Sequence, residues 1–335
     1  MPYIDLHSAG GPGRFYYNIS TPTESSAKSV DKALPTVILL HPVYIASQVF
    51  HPQLADPQLR RFNLVTLDLR GHGETSAKVR GTYGQEEAAQ DVIKLMDDLD
   101  LPASHIMGLS MGACIALQMA ILFPDRVLSL FMASSIPLKE PQEVAEGRQE
   151  IYDCWEEGFR DPENVNVTAI SDAIIGSLQL AYNNTETSLT TSLASGAQGQ
   201  AMRNWSTDFD TFHTVTVKFF TNRDPHPVSS LSRVRCPITL IHCSADVAYP
   251  IEYCNELLEL MKSAQLDVNV QVIDGAPHFG SVTHPKEMNA LLFEFVMRHS
   301  GGMDVPPAQA VVVSPFYEDL VKHGLLKHDS DSESD

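Results

Sequence analysis

Short runs of strand-forming apolar residues alternate along this chain with helical patterns, and this alternation constrains the fold more than any other feature. The segments PTVILLH (35–41) and FNLVTLDLRG (62–71) are mainly apolar and bounded by proline or glycine, which is typical of buried strands. A helical pattern follows at 82–101, with its apolar residues on one face. Strands that alternate with helices form a parallel sheet covered on both faces. We therefore expect an α/β fold with a mostly parallel, twisted sheet.

The alternation is interrupted once, in the middle of the chain. Residues 136–232 carry amphipathic helical stretches and no convincing buried-strand pattern, and the strand pattern returns after them. An insert of about a hundred residues has the size of a lid. We therefore expect an α/β core formed by residues 1–135 and 233–300, a helical cap over 136–232, and a C-terminal extension at 301–327.

The chain is strongly acidic, which limits its partners. Asp and Glu number 42 against 23 Lys and Arg, for a formal net charge of −19. Such a chain is repelled by nucleic acid and by anionic membrane surfaces, so neither is expected as a partner. The end of the chain, HDSDSESD (328–335), alternates serine with acid and is predicted to be a disordered acidic tail.

The cysteines and the N-terminal segment favour a cytoplasmic protein. The five cysteines are odd in number and form no C-x-x-C pair, which is typical of reduced thiols and argues against a metal site. The segment MPYIDLHSAG has charged or polar residues where a signal peptide needs an apolar run, and no stretch of eighteen uninterrupted apolar residues occurs. The oligomeric state is not predicted.

Ser110 is the candidate nucleophile, because it lies between two glycines in HIMGLSMGACIAL, after a predicted strand and before a predicted helix. A sharp turn from strand to helix lifts a serine hydroxyl out of the sheet, and Gly108 and Gly112 let neighbouring backbone pass close by. The N-terminus of the helix favours a developing negative charge. The backbone N–H of Met111 is therefore expected to serve as an oxyanion donor.

A serine hydroxyl is a weak nucleophile until a base takes its proton. Among 13 histidines, His278 is placed best, because it lies between the last predicted strand and the last predicted helix. His284 resembles the start of that helix instead. Asp246 follows the strand at 236–244 and can hold the tautomer of the histidine. The rival strand that ends at Ser135 carries no carboxylate there, so Asp246 is the candidate acid.

These residues together resemble the α/β-hydrolase superfamily, in particular its esterase, enol-lactonase and non-haem haloperoxidase-like branch. The matching segments, in chain order, are LLHP, DLRGHGETS, GLSMG, FPDRV, CSADVAYP, GAPHF and THPKEMNALLFEFV. The resemblance implies an α/β-hydrolase fold, with Ser110 as nucleophile, Asp246 as orienting acid and His278 as general base. The chemistry of such a triad needs no metal or organic cofactor.

The resemblance also implies a second oxyanion donor, a backbone N–H just after a His-Gly pair. Here the pair reads His41-Pro42, so the expected donor is the N–H of Val43. Proline fixes φ near about −65° and restricts the preceding residue to extended conformations. The loop therefore either directs the Val43 N–H correctly or tilts it away, and losing one such donor lowers the rate about 100- to 1000-fold.

The expected activity is hydrolysis of a carboxylic ester or lactone of a small to medium apolar substrate, through an acyl-enzyme on Ser110. Hydrolysis of a carbon–carbon bond in a β-diketone, or acyl transfer to another nucleophile, would use the same residues and remains open. A ligand-binding receptor with a slow triad is the alternative from another class. Epoxide hydrolysis and dehalogenation are disfavoured, because those branches have a carboxylate where this chain has Ser110.

Aromatic residues are the candidates for an apolar substrate pocket. Tyr44 and Phe279 lie next to the expected oxyanion donor and base, and Trp155 and Trp205 are candidates from the cap. The candidate aromatic residues in the cap are Trp155, Phe159, Tyr182, Trp205, Phe209, Phe212 and Phe219. Most of these are expected to hold the cap helices together.

Four polar residues have weaker claims to a role. Arg203 or His213 could bind a substrate carboxylate, although no pattern shows that either faces the cleft. Asp68 and Glu74, in LDLRGHGETS, are expected to shape a turn beside the site rather than to act as catalysts.

Overall fold

The computed structural model describes residues 3–326, and a nine-stranded sheet forms its centre. The strands are β1 (Tyr3–Ser8), β2 (Gly11–Ser20), β3 (Thr36–Leu40), β4 (Asn63–Leu67), β5 (Ser76–Ala77), β6 (Ser104–Leu109), β7 (Val127–Ala133), β8 (Ile238–Cys243) and β9 (Val268–Ile273). Their order across the sheet is β1-β2-β4-β3-β6-β7-β8-β9, and β5 pairs with β2 beside this path. The six strands β3, β4 and β6 to β9 form a parallel sheet. Strand β2 is antiparallel to β1, β4 and β5. The predicted mostly parallel sheet is confirmed.

Helices cover both faces of this sheet and fill the middle of the chain. They are α1 (His51–Leu54), α2 (Gln85–Asp98), α3 (Met111–Leu122), α4 (Gln142–Phe159), α5 (Val167–Tyr182), α6 (Ser188–Trp205), α7 (Phe209–His213), α8 (Phe219–Thr221), α9 (Val228–Leu231), α10 (Ile251–Ser263), α11 (Gly280–Thr283), α12 (Pro285–His299) and α13 (Tyr317–Lys322). A π-helical turn, Thr214–Lys218, joins α7 to α8. Within the described residues, no strand lies between Ala133 and Ile238.

Strand β3 shows why a continuous apolar run suits the centre of this sheet. Successive side chains of a strand point to opposite faces. Val37 and Leu39 belong to the apolar cluster on one face, and Ile38 and Leu40 belong to the cluster on the other. Both faces are buried under helices, which is why the four positions that follow Thr36 in this strand are all apolar.

The observed elements differ from the sequence pattern mainly at one edge of the sheet. Strand β1 and the short β5 pair with β2 there and were not expected, because their half-exposed residues lack a continuous apolar run. Helix α2 is shorter than the predicted 82–101, because the Glu87 side chain accepts a hydrogen bond from the Gly84 N–H and caps the helix at that point (3.2 Å).

The segment after α12 lies against the core as far as the described chain extends. Arg60 donates to the carbonyl of Val313 (3.1 Å), and Arg61 donates to the carbonyl of Pro306 (2.6 Å). Farther along, the ring of Tyr317 in α13 stacks on His51 with 6.4 Å between ring centroids. The predicted acidic tail at 328–335 lies outside the described residues.

Candidate active site

Ser110 occupies a strained turn between β6 and α3. Its φ of 54° and ψ of −110° lie outside the regions that residues with a side chain normally adopt. Such a conformation costs about 1–3 kcal/mol and persists only where the surrounding structure enforces it. The Ser110 N–H donates to the carbonyl of Ala133 (2.9 Å), which continues the ladder between β6 and β7 up to the turn.

The two glycines that flank this serine permit close backbone approach. A Cβ at Gly108 would lie 2.3 Å from the carbonyl oxygen of Gly112, and a Cβ at Gly112 would lie 2.0 Å from the carbonyl oxygen of Leu40. Both obstacles are main-chain atoms, which cannot move aside as a flexible side chain can. The N-terminus of α3 therefore packs directly against the ends of β6 and β3.

His278 and Asp246 reach Ser110 from the carboxyl edge of the sheet, where β9 and β8 end. The Oγ of Ser110 lies 2.8 Å from Nε2 of His278, and Nδ1 of His278 lies 2.5 Å from Oδ2 of Asp246. An ionised carboxylate can only accept a hydrogen bond, so Nδ1 carries the proton and Nε2 is free to accept the serine proton. The structure brings the three predicted residues together in the order needed for proton transfer.

The backbone around Asp246 and His278 is held by further hydrogen bonds. Oδ1 of Asp246 accepts from the N–H groups of Ala248 and Tyr249 (3.0 Å each), which orients the carboxylate. Ser134, at the end of β7, donates to the carbonyl of His278 (2.5 Å). The sequence pattern does not predict this role of Ser134, because it depends on how two separate loops meet.

The His41-Pro42-Val43 loop lies at the end of β3, next to the Ser110 turn. Because Nε2 of His41 accepts a hydrogen bond from the Leu69 N–H (2.9 Å), the ring proton must be on Nδ1. Nδ1 then donates to the carbonyl oxygen of Pro42 (2.7 Å). Burial lowers the pKa of His41 to about 4, so the ring stays neutral and keeps this tautomer at neutral pH.

This histidine fixes the direction of the Val43 N–H. The carbonyl of Pro42 and the N–H of Val43 belong to one trans peptide unit and point in opposite directions. Since His41 holds the carbonyl on one side, the Val43 N–H is directed to the other side. Val43 and Met111 are both buried, and within residues 3–326 neither backbone N–H donates a hydrogen bond. Buried N–H groups without an acceptor are rare, so both are available to an oxygen of a bound molecule.

An apolar cavity lies under the cap, and its lining includes the residues that follow Val43 and His278 in the sequence. All four aromatic candidates, Tyr44, Phe279, Trp155 and Trp205, line it. Tyr182 and Phe212 line it too, whereas Phe159, Phe209 and Phe219 do not. The two tryptophans also hold the cap in place, because Trp155 donates to the Trp205 carbonyl (3.1 Å) and Trp205 donates to the Gly71 carbonyl (2.9 Å).

The candidate nucleophile and base are sealed from solvent in this conformation. Ser110 is 0% exposed and His278 is 1% exposed. The cap contributes directly to this closure, because the carbonyl of Ala181, in α5, accepts a hydrogen bond from the N–H of Phe279 (2.8 Å). A substrate can reach Ser110 only if some part of this cover moves.

Other polar residues with a possible role lie away from the cavity. Arg203 forms an exposed ion pair with Glu74, and His213 lies 3.2 Å from the side-chain oxygen of Gln149. Neither Arg203 nor His213 lines the cavity. The buried Asp68 accepts hydrogen bonds from the N–H groups of Ser47 (3.0 Å) and Glu74 (2.8 Å), which shapes the turn between β4 and β5.

His284 and the five cysteines lie outside the hydrogen-bonded group of Ser110, His278 and Asp246. His284 occupies the N-cap position of α12, and its side chain makes no capping hydrogen bond to that helix. The five cysteines are not bonded to one another. In the described part of the chain, no group of three or more His, Cys, Asp and Glu side chains is arranged to hold a metal ion. Across residues 3–326, no helix combines the length and the apolar character needed to cross a bilayer.

Comparison with known families identifies the fold. A sequence model of the alpha/beta hydrolase fold matches residues 35–285. The chain belongs to this family. The predicted family and fold class are thereby confirmed. A putative non-heme chloroperoxidase from Synechocystis is 24% identical over 78% of this chain and 90% of its own length.

Two further relatives match only part of the chain, and one solved structure matches its fold. Dihydrolipoyllysine-residue acetyltransferase components of acetoin cleaving systems, from Cupriavidus necator and Pseudomonas putida, are 38% and 40% identical over 24% and 27% of the chain. The chain spans about a fifth of their length, 21% and 23% respectively. The enol-lactonase from Burkholderia xenovorans superposes with a TM-score of 0.67 at 17% identity, over 88% of this chain and 100% of its own. At that identity, the superposition is a statement about the fold alone.

Proposed function

We propose that this α/β-hydrolase-family protein is a serine hydrolase that cleaves a carboxylic ester or lactone through an acyl-enzyme on Ser110. The observation that carries the proposal is the 2.8 Å contact from the Ser110 hydroxyl to Nε2 of His278, whose other nitrogen is held by Asp246. A nucleophile, a base of the correct tautomer and an orienting acid are the three parts that acyl transfer needs.

In the first half of the reaction, the Ser110 oxygen attacks the substrate carbonyl carbon while its proton passes to Nε2 of His278. The carbonyl oxygen becomes an oxyanion, and the N–H groups of Val43 and Met111 are the donors available to it. His278 then gives the proton to the leaving oxygen, so the ester bond breaks and an acyl group remains on Ser110. In a lactone, the leaving oxygen stays attached to the acyl chain.

In the second half, water takes the place of the leaving group. His278 removes a proton from the water, whose oxygen attacks the acyl carbon and forms a second oxyanion. When that intermediate collapses, the Ser110 oxygen leaves and takes the proton back from His278. Asp246 stays ionised and stabilises the imidazolium in both halves. The products are a carboxylic acid and an alcohol, or a hydroxy acid from a lactone.

The cap determines, in this proposal, which substrates reach Ser110. The cavity wall is mainly aromatic and aliphatic, which favours a small to medium apolar acyl or ring group. We assign residues 136–232 the role of a lid, because Ser110 is 0% exposed beneath it. No contact of the described residues favours carbon–carbon cleavage or acyl transfer over hydrolysis.

The proposal is tested with p-nitrophenyl esters of graded chain length beside simple lactones. We expect turnover by the native protein and a loss of at least about 10⁴-fold in kcat for Ser110→Ala. Ser281→Ala is the matched control, because Ser281 is equally buried, lies near His278 in sequence, and has a hydroxyl without a hydrogen-bond partner in the described structure. This control should keep native turnover. Equal residual rates in the native protein and Ser110→Ala would favour the receptor alternative.

A further inference from the structure

A second polar cluster lies where the cap meets the core, close to the candidate active site. Nε of Arg148, in α4, donates to Oε1 of Glu140 (2.6 Å), and Nη2 of Arg148 donates to the hydroxyl of Tyr249 (2.9 Å). The Tyr249 hydroxyl donates in turn to Glu140 (2.8 Å). The guanidinium also lies over the ring of Phe220, 3.6 Å from its centroid. Arg148 is buried, and these contacts hold its guanidinium in one position.

The charges of this cluster do not balance. A second guanidinium, that of Arg223, lies 3.4 Å from the other oxygen of Glu140. The side chains of Arg148, Arg223 and Glu140 are 1%, 6% and 2% exposed, so two cations share one carboxylate away from water. Asp246, the other carboxylate nearby, is engaged by His278 and by two backbone N–H groups. A buried net positive charge is costly unless an anion joins it.

Two hydrogen-bonding groups of the cluster also lack partners. Among the described residues, neither Nη1 of Arg148 nor the hydroxyl of Tyr44 makes a hydrogen bond, and both atoms are buried. The side chains of Arg148 and Thr216 both approach the Tyr44 hydroxyl without forming a well-made hydrogen bond to it, and the charge and approach of Arg148 oppose the rise that burial causes in the pKa of Tyr44. Unsatisfied buried polar groups are rare in native proteins and call for a partner.

The cluster adjoins the cavity and the triad. On the buried face of α4, Arg148 is followed at helical spacing by Ile151 and Trp155, which line the cavity together with Tyr44. On the other side, the ring of Tyr249 lies 5.2 Å from the ring of His278, measured between centroids. Arg148 itself does not line this cavity, so a molecule that fills the cavity contacts Tyr44 and approaches Arg148 through the Tyr44 side chain.

From these contacts we propose that Arg148 and Tyr44 form an anion subsite, which binds a carboxylate that the substrate carries in addition to its scissile ester. One carboxylate oxygen accepts from Nη1 of Arg148 and from the Tyr44 hydroxyl, and its charge balances the second guanidinium of the cluster. The inference rests on the proposed ester or lactone hydrolysis and narrows its substrate to a monoanion with an apolar linker. A water molecule could fill the same gap, but it would leave the charge unbalanced.

The test compares substrates that differ only in the extra carboxylate. Monomethyl glutarate replaces the terminal methyl group of methyl pentanoate by a carboxylate on the acyl part. A second pair, 4-carboxyphenyl and 4-methylphenyl butanoate, carries the difference on the alcohol part. We expect kcat/KM to be at least about tenfold higher for the anionic member of one pair, as for a charged hydrogen bond. No preference in either pair would overturn the subsite while leaving the hydrolase proposal intact.

Tyr44→Phe is the informative variant, because it removes only a hydroxyl that has no hydrogen-bond partner in the described structure. We expect it to lower the anionic-to-neutral ratio of kcat/KM about tenfold. Tyr182→Phe is the matched control, since its hydroxyl is also buried, unpartnered and in the cavity wall, but no charged group influences its pKa, which burial alone raises. This control should change both rates by the same factor. An unchanged ratio in Tyr44→Phe would refute the assignment.

Binding measured without turnover separates the two proposals. In Ser110→Ala, monomethyl glutarate at millimolar concentration should raise the thermal midpoint, and methyl pentanoate should raise it less. Arg148→Lys keeps the charge but loses the planar guanidinium and should weaken the shift. A selective shift in Ser110→Ala, together with no ester turnover by the native protein, would support the subsite and refute the hydrolase. Equal shifts for both compounds would refute the subsite.

Discussion

Replacing His41 with phenylalanine tests whether this ring directs the Val43 N–H toward the reacting carbonyl. Phenylalanine has a similar volume and can still pack against His72, whose ring centroid lies 5.1 Å away. The change removes the bond to the Pro42 carbonyl and the bond from the Leu69 N–H. The Pro42-Val43 peptide is then no longer held in one orientation.

The size of the effect follows from these two bonds. If each contributes about 1 kcal/mol, the correct peptide orientation becomes roughly thirtyfold less populated. We therefore expect kcat to fall about thirtyfold, with an upper limit near 1000-fold if the donor is lost completely. KM should change little, because the interaction is made with the oxyanion and not with the bound substrate.

His105→Phe provides the matched control for stability. His105 is a buried histidine at the opposite end of β6 from Ser110, with hydroxyl partners at 2.8 Å (Ser129) and 3.2 Å (Ser300). Both variants should lose a similar free energy of unfolding in urea, but only His41→Phe should lose activity on a p-nitrophenyl ester. A folded His41→Phe protein with kcat within twofold of native would refute the role assigned to His41.

Three further predictions concern stability and the position of the base. Burial lowers the pKa of four histidines from about 6.5 to about 4, 4, 3 and 4, namely His41, His51, His72 and His105. The unfolded chain therefore binds more protons than the folded chain below about pH 6.5. Urea unfolding should show the free energy of unfolding falling as pH drops toward 4, by about 1.4 kcal/mol per pH unit for each histidine. His105→Phe should reduce that slope by one proton, and an unchanged slope would contradict the assignment to buried histidines. Gly112→Ala should destabilise the protein by more than about 3 kcal/mol or prevent folding, because the new Cβ would meet the Leu40 carbonyl. Gly147→Ala, in a helix with open space around the glycine, should stabilise the protein by about 0.5–1 kcal/mol, and equal melting temperatures of the two variants would contradict this prediction. Ser134→Ala should lower kcat by no more than about tenfold and stability by about 1 kcal/mol, because it frees the His278 carbonyl; native activity at native stability would exclude that bond.

The fold is largely predictable from apolar periodicity, because the central strands and long helices are buried on the faces that the pattern marks. In β3, the four residues 37–40 are all apolar, since helices cover both sides of the strand. Strand β1 escapes prediction because it lies at an edge, where five of its six residues are partly or fully exposed and pairing with β2 decides its structure. The predicted strand-to-helix turn at Ser110 depends on local glycines and is visible in the sequence.

The remainder of the site depends on contacts between distant segments. The segment HPVY alone does not show whether Pro42 tilts the Val43 N–H away from the site. The direction of this N–H depends on the hydrogen bond from the His41 ring to the Pro42 carbonyl, and on the hydrogen bond from the Leu69 N–H that fixes this ring. The sequence does not single out Arg148, because it resembles one more charged residue in an acidic helix. The available signal was its spacing from Ile151 and Trp155, which puts an arginine on an apolar face. Arg203, which the sequence offers as a residue that could bind a carboxylate, lies in an exposed ion pair instead.

The central claim is that Ser110 is an activated nucleophile, and covalent labelling tests it most directly. The folded protein is treated with a fluorophosphonate probe at neutral pH, digested, and examined by mass spectrometry. We predict one adduct on the peptide that contains Ser110, no adduct in Ser110→Ala, and labelling slowed strongly in His278→Gln, which lacks the base. A folded native protein that remains unlabelled, or that is labelled equally in Ser110→Ala, would contradict the assignment of Ser110.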